Sequence, residues 1–212
     1  MTKSLAQDSE RPPTPRMPLA QRRRQLLDAA VTVMSERGVA AASTRAITDA
    51  AGVPQGLFHY CFDSRHALLR SLLERESERA LAMAASLDPA SSSLTDALRR
   101  SFEAQLARVS AEPAHFLVLS ELTVYARIDP ELADLTRNQR RRDLDLVAIL
   151  LRQWQGERSG LDVDAWARVI LAGLDGITEA WLSDRDDQAR DQAASLLAEA
   201  VGGAACNDHD GA

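Results

Sequence analysis

The stretch PQGLFHYCFDSR places three side chains capable of chemistry, His59, Tyr60 and Cys61, next to one another. A Cys beside a His could be a nucleophile with its base, a metal ligand, a redox switch or a small apolar residue on a helix face. Residues one or two positions apart on a helix diverge, which argues against a catalytic pair. A redox switch needs a low thiol pKa and solvent access, whereas the spacing of Cys61 from Phe58 predicts that it faces inward. We therefore predict a structural Cys61, with a redox sensor as the alternative.

Other patterns typical of enzymes and metal proteins are missing from the sequence. The His residues, at positions 59, 66, 115 and 209, share no metal-ligand spacing, and neither CxxC nor HExxH occurs. Gly52 and Gly56 are not followed by the Gly-Lys-Ser/Thr of a phosphate-binding loop. We expect no metal, no cofactor and no enzymatic activity.

Signals for a membrane or for secretion are also missing. No run of roughly 18 apolar residues is present, which is the length that a membrane-spanning helix needs. The first residues lack the apolar segment of a signal peptide. Cys61 and Cys206 are too few for a disulfide framework. These features favour a cytoplasmic protein without a membrane partner.

Charge is unevenly distributed along the chain, whose formal net charge is −6. Residues 1–70 hold 10 Lys and Arg against 6 Asp and Glu, a charge of +4. Residues 71–212 hold 15 against 25, a charge of −10. A basic N-terminal third joined to an acidic remainder suggests one end that faces nucleic acid, although chance asymmetry could also give +4.

All of these side chains depend on the elements that position them. Apolar residues recur at helical spacing and no segment alternates convincingly at period two, which predicts an all-α fold of about nine helices. Caps, prolines and glycines mark the ends of these helices. The predicted helices are Leu19 to Gly38, Ser43 or Thr44 to Ala50, Pro54 to about Phe62, a fourth capped by Asp63, a fifth capped by Ser93, a sixth opened by Pro113, a seventh from Asp129 to Gln155, an eighth capped by Asp162, and a ninth after Asp184–Asp187 that ends at Gly202-Gly203.

Residues 44–62 have the spacing of a helix-turn-helix. Gly52 permits a tight turn between two short helices that cross at a steep angle. Apolar residues from both helices point to one small core: Ile47, Ala51, Val53, Phe58 and Cys61. The other side of the third predicted helix then faces outward, and a helix of this width fits the major groove of DNA.

The stretch from Gln21 to about Leu73 resembles the DNA-binding domain of the tetracycline-repressor (TetR) family. The motifs that carry the resemblance are SERG at 35–38, TR at 44–45, IxxAAGV at 47–53, Gly56, Phe62, DSR at 63–65 and Leu68-Leu69. The resemblance implies a transcriptional regulator that binds a palindromic operator as a homodimer and is released by a small-molecule effector. Residues 129–144 and 174–181 are similar to the BetI-like branch of the family.

This resemblance also divides the chain. We expect a disordered arm at 1–18, a helix-turn-helix DNA-binding domain at 19–66, an effector-binding and dimerisation domain at 67–203, and a tail at 204–212. Arg16 and Arg22–Arg24 could reach the DNA backbone or minor groove, or could simply be solvated.

DNA contacts follow from the resemblance residue by residue. Thr44 and Arg45, at the start of the second helix, should meet phosphates. Gln55 should read a base, because its amide can pair bidentately with adenine. The other expected contacts are Pro54, Gly56, His59, Tyr60 and Arg65. A plain surface position is the alternative for His59. The family commonly has His or Tyr where this chain has Cys61, so we expect one backbone contact to be missing.

The C-terminal helices should hold the effector and the dimer interface. The expected effector-pocket residues are Phe102, His115, Phe116, Glu121, Tyr125 and Trp154, of which each apolar one could instead be ordinary core. An acidic pocket group would suit a cationic ligand. The expected dimer interface is Gly173, Leu174, Ile177, Trp181, Leu196 and Leu197, with Gly176 beside them.

One alternative from another class stays open: a helical ligand-binding or enzymatic bundle that merely retains the helix-turn-helix. It would turn over a ligand and bind no operator. The sequence does not indicate the effector, the operator, the regulated genes, the number of dimers per operator, or whether binding represses or activates.

Overall fold

The computed structural model describes residues 17–84, 93–154 and 162–207, and every statement below concerns these residues. They form nine α-helices and one short 3-10 turn, and no strand occurs among them, which confirms the predicted all-α fold. The helices are α1 (Leu19–Arg37), α2 (Thr44–Ala50), α3 (Gln55–Cys61), α4 (Arg65–Ala84), α5 (Leu94–Ala111), α6 (Pro113–Ile128), α7 (Ala133–Trp154), α8 (Val163–Asp184) and α9 (Asp187–Asn207), with the 3-10 turn at Val39–Ala41.

Side-chain caps start three of the described helices where the sequence places them. The Ser43 hydroxyl accepts from the backbone N–H of Ala46 at the start of α2, and Ser93 and Asp162 cap α5 and α8 in the same way. The cap of α4 differs from the prediction. There Ser64, and not Asp63, accepts the backbone N–H three residues on, at a distance of 3.1 Å.

Two helix ends also differ from the sequence prediction. At the start of α7, Asp129 accepts from the backbone N–H of Glu131, and the regular helix begins only at Ala133 after one turn. At the other end of the chain, α9 passes through Gly202-Gly203 and continues to Asn207, so the helix end predicted at these glycines is wrong. Glycine is tolerated inside a helix at a cost of about 1 kcal/mol, which neighbouring residues can offset. Residues 1–16 of the predicted arm, Gln155 at the predicted end of the seventh helix and residues 208–212 of the predicted tail lie outside the described residues.

The N-terminal part, which we call the head (α1 to α3 with the first half of α4), shares its core with the helices that follow. Leu26, Ile47 and Phe58 are fully buried there together with Leu68 and Leu72 of α4. The same cluster continues into α6 and the turn before α7 through Val118, Leu122, Ala126 and Leu132. Helix α4 runs without a break across residues 66 and 67, where the domain division remains a prediction.

The remaining helices, α5 and α7 to α9, form a bundle that we call the body. Its buried side chains come from all four helices: Leu98, Phe102, Leu106, Leu151, Ile170, Ala194, Ala198 and Val201. None of the described helices is both long enough and apolar enough to cross a membrane. The head and the body therefore each have a core of their own, with α4 and α6 between them.

Candidate nucleic-acid interface

The predicted helix-turn-helix is formed by α2 and α3. Gly52 has a φ of +63°, a left-handed conformation that glycine adopts without strain. The backbone N–H of Val53 donates to the carbonyl of Thr48 at 3.0 Å and closes the turn. The Gln25 amide of α1 donates to the carbonyl of Ala51 at 3.0 Å, which ties the turn to the first helix. The local sequence signals were sufficient to predict this unit.

One side of α3 projects into solvent. Gln55, Gly56 and His59 are exposed, and Tyr60 keeps 69% of its surface accessible although it is a large aromatic residue. Pro54, just before the helix, is exposed as well. The ring and hydroxyl of Tyr60 are therefore accessible to a binding partner.

Gly56 has no internal reason to be glycine. It lies in a regular helix with an ordinary φ, and a Cβ added there would meet no atom of the chain within 4 Å. Glycine in a helix costs stability relative to alanine. Its presence fits a surface that another molecule must approach closely.

Thr44 and Arg45 lie at the start of α2, the helix that packs against α3. The Arg45 side chain is 82% exposed, and its ion pair with Asp49 is long at 3.9 Å and itself exposed. Such a pair contributes little stability and is easily exchanged for another anion. Arg45 can therefore reach a phosphate without disturbing the fold.

Cys61 lies on the opposite side of α3 and is only 4% exposed. Burial raises the pKa of its thiol, and the nearby charges of Arg23 and Arg22 oppose this rise. A protonated, buried thiol is a poor nucleophile and a poor redox sensor. No group of three His, Cys, Asp or Glu residues that could hold a metal occurs among the described residues. The structural interpretation of Cys61 is the one that its burial supports.

Arg23 also has a different environment from the one expected. Its guanidinium donates to the carbonyl of Cys61 and to the hydroxyl of Ser71, and it stacks 4.3 Å from the centre of the Phe62 ring. These contacts hold α1, α3 and α4 together. They leave Arg24 as the more accessible basic residue of this stretch.

Arg65 is the DNA-contact prediction that the structure does not favour. Its Nε donates to the carbonyl of Ala42 at 2.8 Å, its second terminal nitrogen donates to the carbonyl of Val39, and the first faces the Tyr125 hydroxyl at 3.4 Å. The guanidinium also lies 5.4 Å from the centre of the Tyr125 ring. Since its nitrogen donors bond to other residues of the chain, we reassign Arg65 from a phosphate contact to the contact between the head and α6.

Glu121 and Tyr125 lie at this same contact. The Glu121 carboxylate accepts from the backbone N–H of Val39 at 2.8 Å and fits against Gly38, whose φ is +80°. We call Gly38, Val39, Arg65, Glu121 and Tyr125 the junction. The acidic pocket group expected at Glu121 stays a prediction that these contacts do not favour. Sequence position alone could not reveal a partner 82 residues away.

The junction extends along α4 to the turn before α7. His66 Nε2 lies 3.0 Å from the Asp129 carboxylate, and Nδ1 lies 3.6 Å from Glu131. The hydrogen bond from His66 lowers the pKa of the Asp129 carboxyl below its ordinary value, against a smaller opposing effect of burial. Arg70 adds a bond to the carbonyl of Glu131.

The other expected pocket residues are separated as well. His115 is buried, with Nε2 2.9 Å from the Glu76 carboxylate on α4. Burial by itself would raise the pKa of Glu76, but the hydrogen bond and charge of His115, with Arg79 and Arg108, lower it overall. Phe116 packs against a separate small cluster that includes Trp181. Only Phe102 and Trp154 of the six line a common cavity, between α5, α7 and α8.

Five of the six residues expected at a dimer interface pack within the chain itself. A Cβ on Gly173 would come within 2.7 Å of Leu197, so this pair sets the close approach of α8 and α9. Trp181 is buried and its indole N–H donates to Asp187 at 2.8 Å. Leu174 and Ile177 pack against the body core. Leu196, 58% exposed, remains available for a partner.

An exposed face of small and apolar residues flanks the Gly173–Leu197 contact. We call it the outer face; it consists of Val169, Ala172 and Gly176 on α8 with Leu196 and Ala200 on α9. Gly176 and Leu196 of this face are among the residues expected from the sequence at a dimer interface, whereas Val169, Ala172 and Ala200 are not. The signal for these three was a repeat of small residues three and four positions apart.

Two family models match the chain. The model described as "Bacterial regulatory proteins, tetR family" matches residues 26–72. The model described as "BetI-type transcriptional repressor, C-terminal" matches residues 94–204, which is more than half of the chain.

Individual proteins are similar over most of the chain or over about a quarter of it. The nicotine-responsive transcriptional repressor HdnoR of Paenarthrobacter nicotinovorans is 21% identical over 173 residues, 81% of this chain and 89% of that protein. The repressor KstR2 of Rhodococcus jostii (strain RHA1) is 42% identical over 52 residues, 24% of this chain and 26% of that one. A solved TetR-like transcriptional regulator from Rhodococcus sp. RHA1 superposes with a TM-score of 0.66 at 26% identity, covering 93% of this chain and 100% of the other.

Proposed function

The chain belongs to the TetR family of bacterial regulatory proteins, with a BetI-type C-terminal domain, and from this premise we propose how it acts. A member of this family is a DNA-binding transcriptional repressor. In our proposal, a homodimer in the cytoplasm binds a two-fold symmetric operator through α2 and α3, and it leaves the operator when a small molecule binds to the body.

The observation that carries the proposal is the exposed side of α3. Gln55, Gly56, His59 and Tyr60 contribute nothing to the core, whereas the buried side holds Phe58 at zero exposure. A rigid helix with an exposed amide near its start has the reach to read a base edge in the major groove. Gln55 is the residue that we assign to base recognition.

Phosphate contacts orient the head and carry no sequence information. Arg45 is placed for this role because its side chain is exposed and its internal ion pair is weak. Thr44 lies beside it, half-buried, with a hydroxyl that can donate to a phosphate oxygen.

A second copy of the chain completes the operator-binding unit. The outer face of α8 and α9 leaves Val169 and Leu196 exposed among small residues, so two copies could approach closely around a two-fold axis. Two heads would then lie about 34–36 Å apart, one turn of DNA. A dimer of this kind requires a palindromic site.

Release requires the head and the body to move together. Helix α4 continues from the head and packs against α7 of the body. The junction fastens α6 to the turn between α1 and α2 through Arg65 and Glu121. A ligand that prefers one arrangement of the body can shift the spacing of the two heads through these contacts.

Selection of bound DNA from a random oligonucleotide pool tests the proposal. We expect the full-length protein to enrich a palindrome whose half-sites are one helical turn apart. The Gln55→Ala variant should enrich a palindrome that is degenerate at one position of each half-site. If the wild type enriched no common motif at a salt concentration where it binds DNA, that result would contradict the proposed function.

A further inference from the structure

The body contains a partly open cavity of about 80 Å³ between α5, α7 and α8. Natural cores are close-packed, and internal spaces larger than a water molecule are few. This one is bounded by side chains from three helices, of which the most buried are Ala97, Leu98, Phe102, Leu151 and Ile170. None of the described residues that line this cavity belongs to the junction.

The lining of this cavity is almost wholly apolar. Among the described residues that line it no side chain is charged, and the polar ones are Ser101, Gln153 and the indole of Trp154. A charged ligand placed there would lose its hydration without gaining a counter-charge, which is strongly unfavourable. An apolar ligand would gain contacts that the empty space cannot provide.

We infer that this cavity binds a neutral, predominantly apolar small molecule about the size of one aromatic ring. The inference rests on the proposed function, since it names the class of effector that would release the operator. It also differs from the cationic ligand suggested by an acidic pocket group. Glu121, the residue behind that suggestion, is bonded to Val39 at the junction.

A second open space in the molecule is less suited to such a ligand. A cleft of about 360 Å³ between α1, α4 and the start of α6 is lined by Arg75, Arg79 and His115. Its charges already face internal partners, with Arg75 2.9 Å from Asp28 and Arg79 3.1 Å from Glu76. An apolar molecule there would compete with water over an open, polar surface.

The size of the cavity suggests how occupancy could be transmitted. An apolar cavity of roughly 150 Å³ accommodates a benzene ring. Since the cavity here is smaller, a ring-sized ligand that enters it fully would have to displace the walls that α5, α7 and α8 contribute. Ligand binding then favours an expanded body over the one described, and this difference in affinity is what couples binding to a change of conformation.

Two helices of the cavity wall also contribute to other surfaces: α8 to the outer face and α7 to the contact with α4. Ile170 and Leu174 line the cavity on one side of α8, and Val169 and Gly176 of the outer face lie on another. Helix α7, which contributes Leu151, packs against α4 nearer its other end. Displacement of α8 or α7 by a ligand would therefore alter the dimer contact or the orientation of the head.

Three ring compounds of nearly equal size test the ligand class. Toluene is neutral, benzoate is anionic and benzylammonium is cationic. We expect toluene to raise the thermal unfolding midpoint of the free full-length protein and to bind at least about tenfold more tightly than either ion in calorimetric titration. Failure of toluene to bind, or binding of an ion as tight as that of toluene, would overturn the inference.

Variants of the wall locate the site. Ala97→Leu fills the cavity and should abolish toluene binding, whereas Ala104→Leu makes the same change at an exposed position of the same helix and should bind toluene like the wild type. Leu150→Ala enlarges the cavity from a half-buried position. It should bind toluene more tightly and couple that binding less strongly to DNA release. Equal toluene binding by Ala97→Leu and the wild type would place the ligand elsewhere.

The two proposals fail in distinguishable ways. Toluene binding is measured without DNA, so its result stands whether or not the oligonucleotide selection returns an operator. With a selected operator in hand, toluene should weaken the operator affinity of the wild type at least tenfold and leave that of Ala97→Leu unchanged. Toluene binding without any loss of operator affinity would refute the effector role and leave the proposed DNA binding intact.

Discussion

Arg45 and Gln55 lie on the same exposed side of the head, but they would meet different parts of a DNA duplex. Arg45 carries a full charge at the start of α2, where a phosphate is the natural partner. Gln55 has no charge and can distinguish one base edge from another. At the scale of single residues, Arg45 would therefore contribute affinity for any DNA and Gln55 specificity for one sequence.

Substitution of each residue by Ala should give different signatures. Arg45→Ala should weaken binding to all DNA sequences alike and reduce the slope of log affinity against log salt by about one. Gln55→Ala should cost about 1–3 kcal/mol on the operator and little on other sequences, with an unchanged salt slope. Fluorescence anisotropy with operator and scrambled duplexes over a salt series measures both. A sequence-dependent loss for Arg45→Ala would contradict its assignment to phosphate.

Asp143 of α7 provides a test of residue-scale electrostatics away from DNA. Burial raises the pKa of its carboxyl and the charge of Asp175 adds to this, against the hydrogen bond from Gln139 and the charges of Arg140 and Arg142. The folded protein thus holds this proton more tightly than the unfolded chain does. The ionised carboxylate opposes folding at neutral pH, and the effect disappears as the pH falls through the raised pKa.

Asp143→Asn keeps an oxygen that can accept from Gln139 and removes the charge. We expect the variant to be more stable than the wild type at about pH 7.5, by roughly 0.5 kcal/mol once solvent screening is considered, and equally stable near pH 4. Chemical unfolding at the two pH values measures this. Asp145→Asn, at an exposed position two residues on, is the control and should change nothing. If the stability gain of Asp143→Asn over the wild type increased as the pH fell, the result would contradict a raised pKa at Asp143.

At the scale of elements, the head could be predicted from the sequence and the arrangement around it could not. The helix-turn-helix depends on signals within a few residues of one another: the Ser43 cap, the left-handed Gly52 and the spacing of Ile47 from Phe58. The caps of α5 and α8 are local in the same way. These interactions form between neighbours in the chain, so sequence spacing encodes them directly.

Pairings between distant helices carry no such local signal. Glu121 looks like a pocket residue on an apolar helix, but it bonds Val39, and Arg65 looks like a phosphate contact, but it bonds Ala42 and Tyr125. Trp181, large and apolar, looks like an interface residue, but it packs inside the chain. The partner of each side chain depends on how whole helices pack.

The junction provides the element-scale prediction. Arg65→Ala removes donors to the carbonyls of Val39 and Ala42, so we expect it to destabilise the fold by about 1–3 kcal/mol. The salt slope of DNA binding should stay close to that of the wild type, because no phosphate contact is lost. Urea unfolding and a salt series measure the two effects. A stable Arg65→Ala variant with a salt slope reduced by one would instead restore the phosphate role.

At the scale of the whole molecule, function depends on a second copy. One head reads only half of a palindrome, and the outer face of α8 and α9 is the surface where copies could meet. Its exposed residues are small except for Val169 and Leu196, which would be buried in such a contact. Oligomerisation and operator affinity are then linked by mass action.

Leu196→Glu should break this contact by burying a charge in it, with a cost of several kcal/mol. Sedimentation analysis should show a dimer for the wild type and a monomer for the variant, with operator affinity falling at least tenfold. Leu117→Glu on α6, exposed to a similar degree, should remain a dimer. A dimeric Leu196→Glu variant with normal operator affinity would move the interface away from the outer face.

The central claim is that the exposed side of α3 reads a specific DNA sequence. The most direct test compares the affinity of the wild-type protein for its selected operator with that for a scrambled duplex of equal length and composition, at physiological salt. The account predicts at least roughly 1,000-fold tighter binding to the operator. Equal affinity for the two duplexes would contradict it.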